Sequence, residues 1–272
     1  METPGEPGVT RREFLATAAG IVGLSLYGAS SNTLDPVRKA LAGTDGAQAV
    51  RVALITDMHG PHNWVDFDHL TGAVQAFRPD LICIVGDAVD RRGDEPLVRR
   101  YADMAAPLGK YATLGNWEYQ GECDLPRLRR EYERAGVRLL VNERLRLREG
   151  RAPVDLVGLD DWRAGSPDYS LVARLPSADP GAPRAIVLSH CPIGFDMVVR
   201  VAPRPTAVLS GHTHGGQIAP LGIALVLPEG SGPYVKGAYT AGPHALYVSR
   251  GLGNSGPPFR IGSRPEVALL TV

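Results

Sequence analysis

Five short apolar runs in this chain stop in the same way, and that repetition constrains the fold more than any other feature. Val50–Ile55 gives way to Thr56-Asp57-Met58-His59, and Leu81–Val85 stops at Gly86-Asp87-Ala88-Val89-Asp90. Tyr111–Leu114 ends in Gly115-Asn116-Trp117-Glu118, and Ala185–Leu188 ends in Ser189-His190. Thr206–Leu209 delivers Ser210-Gly211-His212-Thr213-His214-Gly215-Gly216. An apolar run without strict alternation reads as a strand covered on both faces. A ligand-type residue directly after such a strand lies at its carboxyl end, the edge where α/β folds gather their active sites.

Helical spacing separates these runs. Phe67, Leu70, Val74 and Phe77 predict a helix over 66–78, closed by Pro79; Leu97, Tyr101, Met104 and Leu108 predict another over 94–108. An arginine-rich helix is expected at about 124–135, with short ones near 170–175 and 194–200. Further strands are expected at 138–141, 144–148, 153–159, 223–227, 245–249 and 266–271. The alternation of strands and helices places the chain in the α/β class.

With 44% hydrophobic residues in 272, a sizeable core is available. A formal net charge of zero gives no electrostatic footprint for nucleic acid. The three cysteines form no disulfide framework, and Cys83 reads as a core thiol. The opening Thr10-Arg11-Arg12-Glu13-Phe14-Leu15, followed by the small-residue apolar stretch Ala16–Tyr27, resembles a twin-arginine export signal. Ala40-Leu41-Ala42 fits a cleavage pattern, dividing the chain into a signal segment over 1–42 and one domain over 43–272. That predicts a periplasmic, cell-wall or extracellular protein. An uncleaved signal would add membrane association.

Singly, each strand end has a plain structural use. Asp57 could cap a helix, Asn116 a turn, and His190 could be a satisfied core histidine. Together they form an ordered set: Asp-x-His, Gly-Asp-x-x-Asp, Gly-Asn-x-Glu, a lone histidine and Gly-His-Thr-His. That set resembles the calcineurin-like metallophosphoesterases from Val50 to the C-terminus. Ser249–Gly256 and the box Gly211–Ile218 resemble the YaeI/YkuE-type exported phosphodiesterase branch.

The resemblance implies a four-layer α/β/β/α sandwich of two mixed sheets and a dinuclear centre. Asp57, His59 and His214 would hold one divalent ion; Asn116, His190 and His212 would hold the other; Asp87 would bridge them. The mixed nitrogen and oxygen donors suit Mn, Fe or Zn. Such a pair clamps a phosphate and acidifies water to supply a hydroxide nucleophile. The expected substrate is a small-molecule or lipid-linked phosphoester, a diester or pyrophosphate above all. One position departs from the family, which carries histidine where this chain has Trp117. Indole can donate a hydrogen bond but cannot shuttle a proton. His62 and then Glu118 are the expected substitutes as general acid. The second reading is a metal-containing phospholigand-binding protein with weakened catalysis. Arg250, Arg260 and His244 are expected at the surface, and Asp90 is expected to support the site from behind.

Overall fold

A computed structural model describes residues 33–41, 49–148, 153–177 and 184–272. Its strands are β1 Asp35–Ala40, β2 Arg51–Ile55, β3 Leu81–Val85, β4 Lys110–Thr113, β5 Val137–Leu139, β6 Glu143–Leu147, β7 Val154–Gly158, β8 Arg184–Leu188, β9 Thr206–Ser210, β10 Gly237–Ala241, β11 His244–Val248 and β12 Glu266–Thr271. Its α-helices are α1 Phe67–Phe77, α2 Asn116–Gln120, α3 Leu125–Arg134, α4 Ser170–Ala173 and α5 Gly194–Val201.

The strands form two six-stranded sheets, ordered β1-β12-β2-β3-β4-β5 and β10-β11-β9-β8-β7-β6. Both are mixed. β2 to β5 run parallel with β12 antiparallel to β2, and β7, β8, β9 and β11 run parallel between antiparallel edges β6 and β10. Leu54, Cys83 and Val85 pack across the middle against Leu156, Ile186, Leu188 and Leu209. On the outer face of the first sheet, Ile55, Ile82 and Ile84 meet Leu70 and Val74 of α1 and Leu128 and Tyr132 of α3. On the outer face of the second, Val187, Val208 and Leu246 meet Val172 of α4 and Phe195 and Val198 of α5. The architecture is the expected α/β/β/α sandwich. Every residue of β3 is buried because both faces of its sheet are covered.

Local caps set where α1 begins and ends. Asp66 caps it by accepting from the Asp68 N–H, and Arg78 closes it in a left-handed conformation ahead of Pro79.

Four local expectations are corrected. The helix predicted over 94–108 is a 3₁₀ helix, Glu95–Asp103. Residues 223–227 form no strand; they belong to a loop whose apolar side chains face outward. β10, at a sheet edge, carried no apolar run to announce it. β1 lies inside the segment assigned to the signal, although it pairs along its length with β12. It is an edge strand whose residues are mostly exposed, so its Asp-Pro-Val-Arg-Lys-Ala sequence carries no apolar pattern. The folded unit thus begins ahead of the expected boundary at 43. The twin arginines and Ala42 lie outside the described residues.

Candidate metal centre

The strand ends converge, held by backbone bonds within each sheet and by side-chain bonds between the sheets. The Gly86 N–H donates to Thr113, Asp57 N–H to Gly86, and Gly211 N–H to His190. Across the sheets, the His212 N–H donates to both carboxylate oxygens of Asp57, at 2.9 and 3.1 Å. His190 Nδ1 meets the Val85 carbonyl at 3.0 Å.

Turning each side chain into one small space requires unusual backbone. Asp57, His59, Asp87, His212 and His214 all have positive φ, between 44° and 73°. Each such residue outside glycine costs about 1–2 kcal/mol, and clustering of that strain marks a functional site. Two glycines make room. A Cβ on Gly86, itself at φ +73°, would lie 2.2 Å from His190 Nδ1; one on Gly211 would lie 2.3 Å from Asp57 Oδ2.

The side chains form two buried triads, Asp57–His59–His214 and Asp87–His190–His212, each with its ligand atoms within 4.8 Å of one another. Asp87 stands between them. Its Oδ2 is 3.1 Å from His190 Nε2 and 3.8 Å from His59 Nε2. Asn116 opens α2 beside it, and the Trp117 N–H donates to Asp87 Oδ1 at 2.9 Å.

Each imidazole is anchored by the nitrogen that faces away from the centre. His59 Nδ1 meets Asp90 Oδ1 at 2.5 Å, His190 Nδ1 meets the Val85 carbonyl, and His212 Nε2 meets the Glu229 carbonyl at 2.7 Å. A carboxylate or carbonyl behind a histidine fixes its tautomer and leaves the other nitrogen as a lone-pair donor. His214 is anchored differently, by Arg260 Nη2–H donating to its Nδ1 at 3.0 Å. The inner nitrogens of His59 and His214 hydrogen-bond to each other at 3.1 Å, a separation that also matches two ligands at about 2.0–2.1 Å from one ion. Asn116 Oδ1 has no hydrogen-bond partner, and His190 Nε2 meets the Asp87 carboxylate, 3.1 Å away. Buried acceptors without donors are rare. The donor set fits divalent metal in both triads.

Electrostatics point the same way. Burial opposes charge on His190, but Asp87 and Asp57 outweigh it and hold its pKa well above the ordinary value. His59 is also raised, with burial opposed by Asp90 and Asp87. Burial, His59 and Arg260 push His214 well below the ordinary value. Burial opposes ionisation of Asp87, yet His190 and His59 hold it below the carboxylate range. The centre holds an anionic carboxylate core that favours cations.

Six of the seven expected ligands fall in the two triads, and Asn116 lines the cavity beside them. Trp117 lines the cavity beside it, its ring edge-on to His59 with centroids 5.9 Å apart. The two residues proposed as general acid are placed elsewhere. Glu118 is buried beneath the loops, where its carboxylate accepts from the N–H groups of Asp87, Ala88 and Gly115. Burial and Asp87 push its pKa up to about 7, but it does not line the cavity. It holds the β3 and β4 loops in register, as an N3 glutamate does in a capping box. His62 is exposed, 3.9 Å from Asp90 Oδ2, and also lies outside the cavity lining.

Arg260, expected at the surface, is fully buried; besides His214 it donates to the carbonyls of Gly253, Arg250 and Ser263. Arg250 pairs with Asp35 and Glu266, and His244 is buried in β11. No spacing in the sequence signals Arg260, because its partners are main-chain carbonyls and a histidine distant along the chain.

The cavity above the triads has a volume of about 470 Å³ and a largely apolar wall, with Ile218, Leu225, Val226, Pro228 and Pro257 opposite the ligands.

Fold and site together define a class: an α/β sandwich that gathers buried histidine and carboxylate donors at one edge to hold metal. Within that class the chain belongs to the calcineurin-like phosphoesterase family, whose sequence model matches residues 50–216. It is 30% identical over 256 residues to the uncharacterized metallophosphoesterase YkoQ of Bacillus subtilis, covering 89% of this chain and 92% of that protein. It is 30% identical over 278 residues to the phosphodiesterase YaeI of Escherichia coli, covering 96% and 98%. It is 31% identical over 238 residues to a bovine transmembrane protein with a metallophosphoesterase domain, covering 82% of this chain and 52% of that one. The chain thus spans about half the length of the bovine relative.

Proposed function

We propose that the protein hydrolyses phosphodiesters or pyrophosphates with a dinuclear divalent-metal centre and acts outside the cytoplasmic membrane. The observation that carries the metal reading is the pair of buried triads with Asp87 between them and the unpartnered Asn116 Oδ1 beside them. Asp57, His59 and His214 would hold one ion, and Asn116, His190 and His212 the second, with Asp87 placed between the two groups. Mn, Fe or Zn suits this donor set. Bound metals supply Lewis acidity toward a phosphoryl group and toward water.

The chain's own residues position and exclude. Asp90, Val85 and Glu229 hold three histidines with their inner nitrogens toward the metals. The apolar cavity wall keeps bulk water away and strengthens each charge interaction inside. In the reaction, water oxygen bonds to phosphorus, one P–O ester bond breaks, and the leaving oxygen departs as anion or with a proton. Trp117 stands where a proton-shuttling side chain would serve a poor leaving group. Its presence supports substrates whose leaving group is already a stable anion, as in a pyrophosphate or an activated diester. The Escherichia coli relative YaeI is a phosphodiesterase, which supports the same direction.

The same tryptophan favours one second reading, a metal-holding protein that binds phospholigands with little turnover. Manganese-dependent hydrolysis of bis(p-nitrophenyl) phosphate separates the two. Turnover by the wild type and its loss in Asp87→Asn is the expected result; metal uptake without turnover supports the binding reading instead.

A further inference from the structure

Among the described residues, the large apolar side chains exposed to solvent are Trp64, Leu221, Ile223, Leu225, Val226 and Phe259, with exposures from 39% to 86%. All six stand on three loops, and those loops are tied to one another around the metal centre. The loop after β2 carries Trp64 and joins the third loop where the His62 carbonyl accepts from the Asn254 N–H. The Gln217 amide donates to the carbonyls of Ser255, Pro257 and Phe259, joining the second loop to the third. The Ala219 N–H donates to Ile261 and the Leu225 N–H to Ile218, which fastens the apolar turn at its base.

An apolar patch confined to one edge of an otherwise ordinary surface marks an interaction site. Here the fold also holds it outward. Leu221 has φ +55°, a conformation leucine rarely adopts, and is 86% exposed. Leu225 and Val226 are at once rim and cavity wall. The apolar surface is therefore continuous from the tip of the loop down to the metal ligands.

We infer that this rim seats in a lipid surface and that the substrate is a phosphodiester or pyrophosphate carrying a long apolar tail. The substrate class rests on the hydrolytic reading above; the seating of the rim does not. A protein partner or second copy covering these loops would close the cavity mouth. A lipid surface meets the same side chains and delivers the substrate through the mouth, its tail along Leu225 and Val226 and its phosphate toward the two triads. The chain also enters the fold on this side. Asp35, the first residue of β1, bonds to Arg250 at 2.7 Å and to the Pro265 carbonyl at 2.8 Å, next to the third loop. The sequence just upstream contains the apolar stretch Ala16–Tyr27.

Two measurements on the full chain test this. In the first, ethyl p-nitrophenyl phosphate in solution is compared with hexadecyl p-nitrophenyl phosphate in phosphatidylcholine vesicles. The scissile bond and leaving group are the same, and only the tail differs. The wild type should favour the hexadecyl ester by about tenfold or more in kcat/KM, as expected from added apolar burial. Leu221→Ser/Ile223→Ser should lose that preference while its rate on the ethyl ester stays unchanged. Equal rates on both esters, or an equal loss on both, overturns the substrate class.

In the second, Leu221→Cys is labelled with an environment-sensitive fluorophore; the native Cys83, Cys123 and Cys191 are buried. Emission should shift to the blue when vesicles are added. No shift overturns the seating of the rim, and so does a shift that follows protein concentration without vesicles, which would mark a second copy. If neither ester is hydrolysed, the hydrolytic reading fails with its substrate class, and the fluorophore still decides the rim.

Discussion

Gly211→Ala is the sharpest test of how this centre is packed. The backbone at Gly211 is not left-handed, so alanine there meets no conformational penalty and the effect is one of space alone. The added methyl would lie 2.3 Å from Asp57 Oδ2, 2.6 Å from Thr56 Cβ and 2.8 Å from Thr56 Oγ1. Ordinary contact begins at 3.4 Å, so the Asp57 carboxylate and the loop bearing His212 must separate by about 1 Å. Asp57 cannot yield cheaply. It is buried, it accepts two bonds from the His212 N–H, and Gly251 closes its other side. A 1 Å displacement of a reacting group costs about 100-fold in rate. The expected result is a fall in kcat/KM of that order on bis(p-nitrophenyl) phosphate, with weaker retention of metal by the Asp57–His59–His214 triad. Gly72→Ala, where the added methyl meets nothing within 4 Å, serves as the control and should keep full activity. If Gly211→Ala kept wild-type turnover and metal content, the tight fit of the two sheets around Asp57 would be refuted.

Three further outcomes are expected. Asp90→Ala removes the acceptor behind His59 and should lower metal affinity about 10–100-fold, read by competition with a chromogenic chelator; an unchanged affinity removes Asp90 from the site's support. Trp117→His restores a side chain able to carry a proton, so its rate should rise more on esters with poor leaving groups than on good ones, by up to about 10²–10⁴-fold; an unchanged ratio shows that Trp117 does not limit protonation. Asp155, buried in β7, is opposed by desolvation but held below the ordinary carboxylate value by Arg146 and the buried Arg204. A depressed folded pKa gives stability that is present above the unfolded value of about 3.9 and lost as pH falls through the folded one. Asp155→Asn should therefore lose about 3–5 kcal/mol at neutral pH, by leaving Arg204 uncompensated, and show a shallower acid limb in a urea-unfolding series. An acid limb as steep as the wild type's would place that sensitivity in other carboxylates.

The sequence by itself determined the inner strands and the ligands. β2, β3, β8 and β9 are covered on both faces, so burial writes them as continuous apolar runs. The residue after each run is placed by the strand's end, whatever the strand's neighbours are. That made Asp57, Asp87, His190, His212 and His214 legible as an ordered set, although each alone has a plain structural use.

Tertiary structure decided what depends on partners distant along the chain. β1 exists because β12 offers it a free edge, and an edge strand needs no apolar pattern. Glu118 and Arg260 carry the same charge chemistry as a general acid or a phosphate clamp, but burial against main-chain N–H and carbonyl groups makes one a loop brace and the other an anchor for His214. Ile223, Leu225 and Val226 read as a strand because their side chains are apolar. They stand in solvent because a left-handed turn at Leu221 and the bonds of the Gln217 amide to the 255–259 loop hold them at the mouth of the site, and only the closing of those loops on one another shows it.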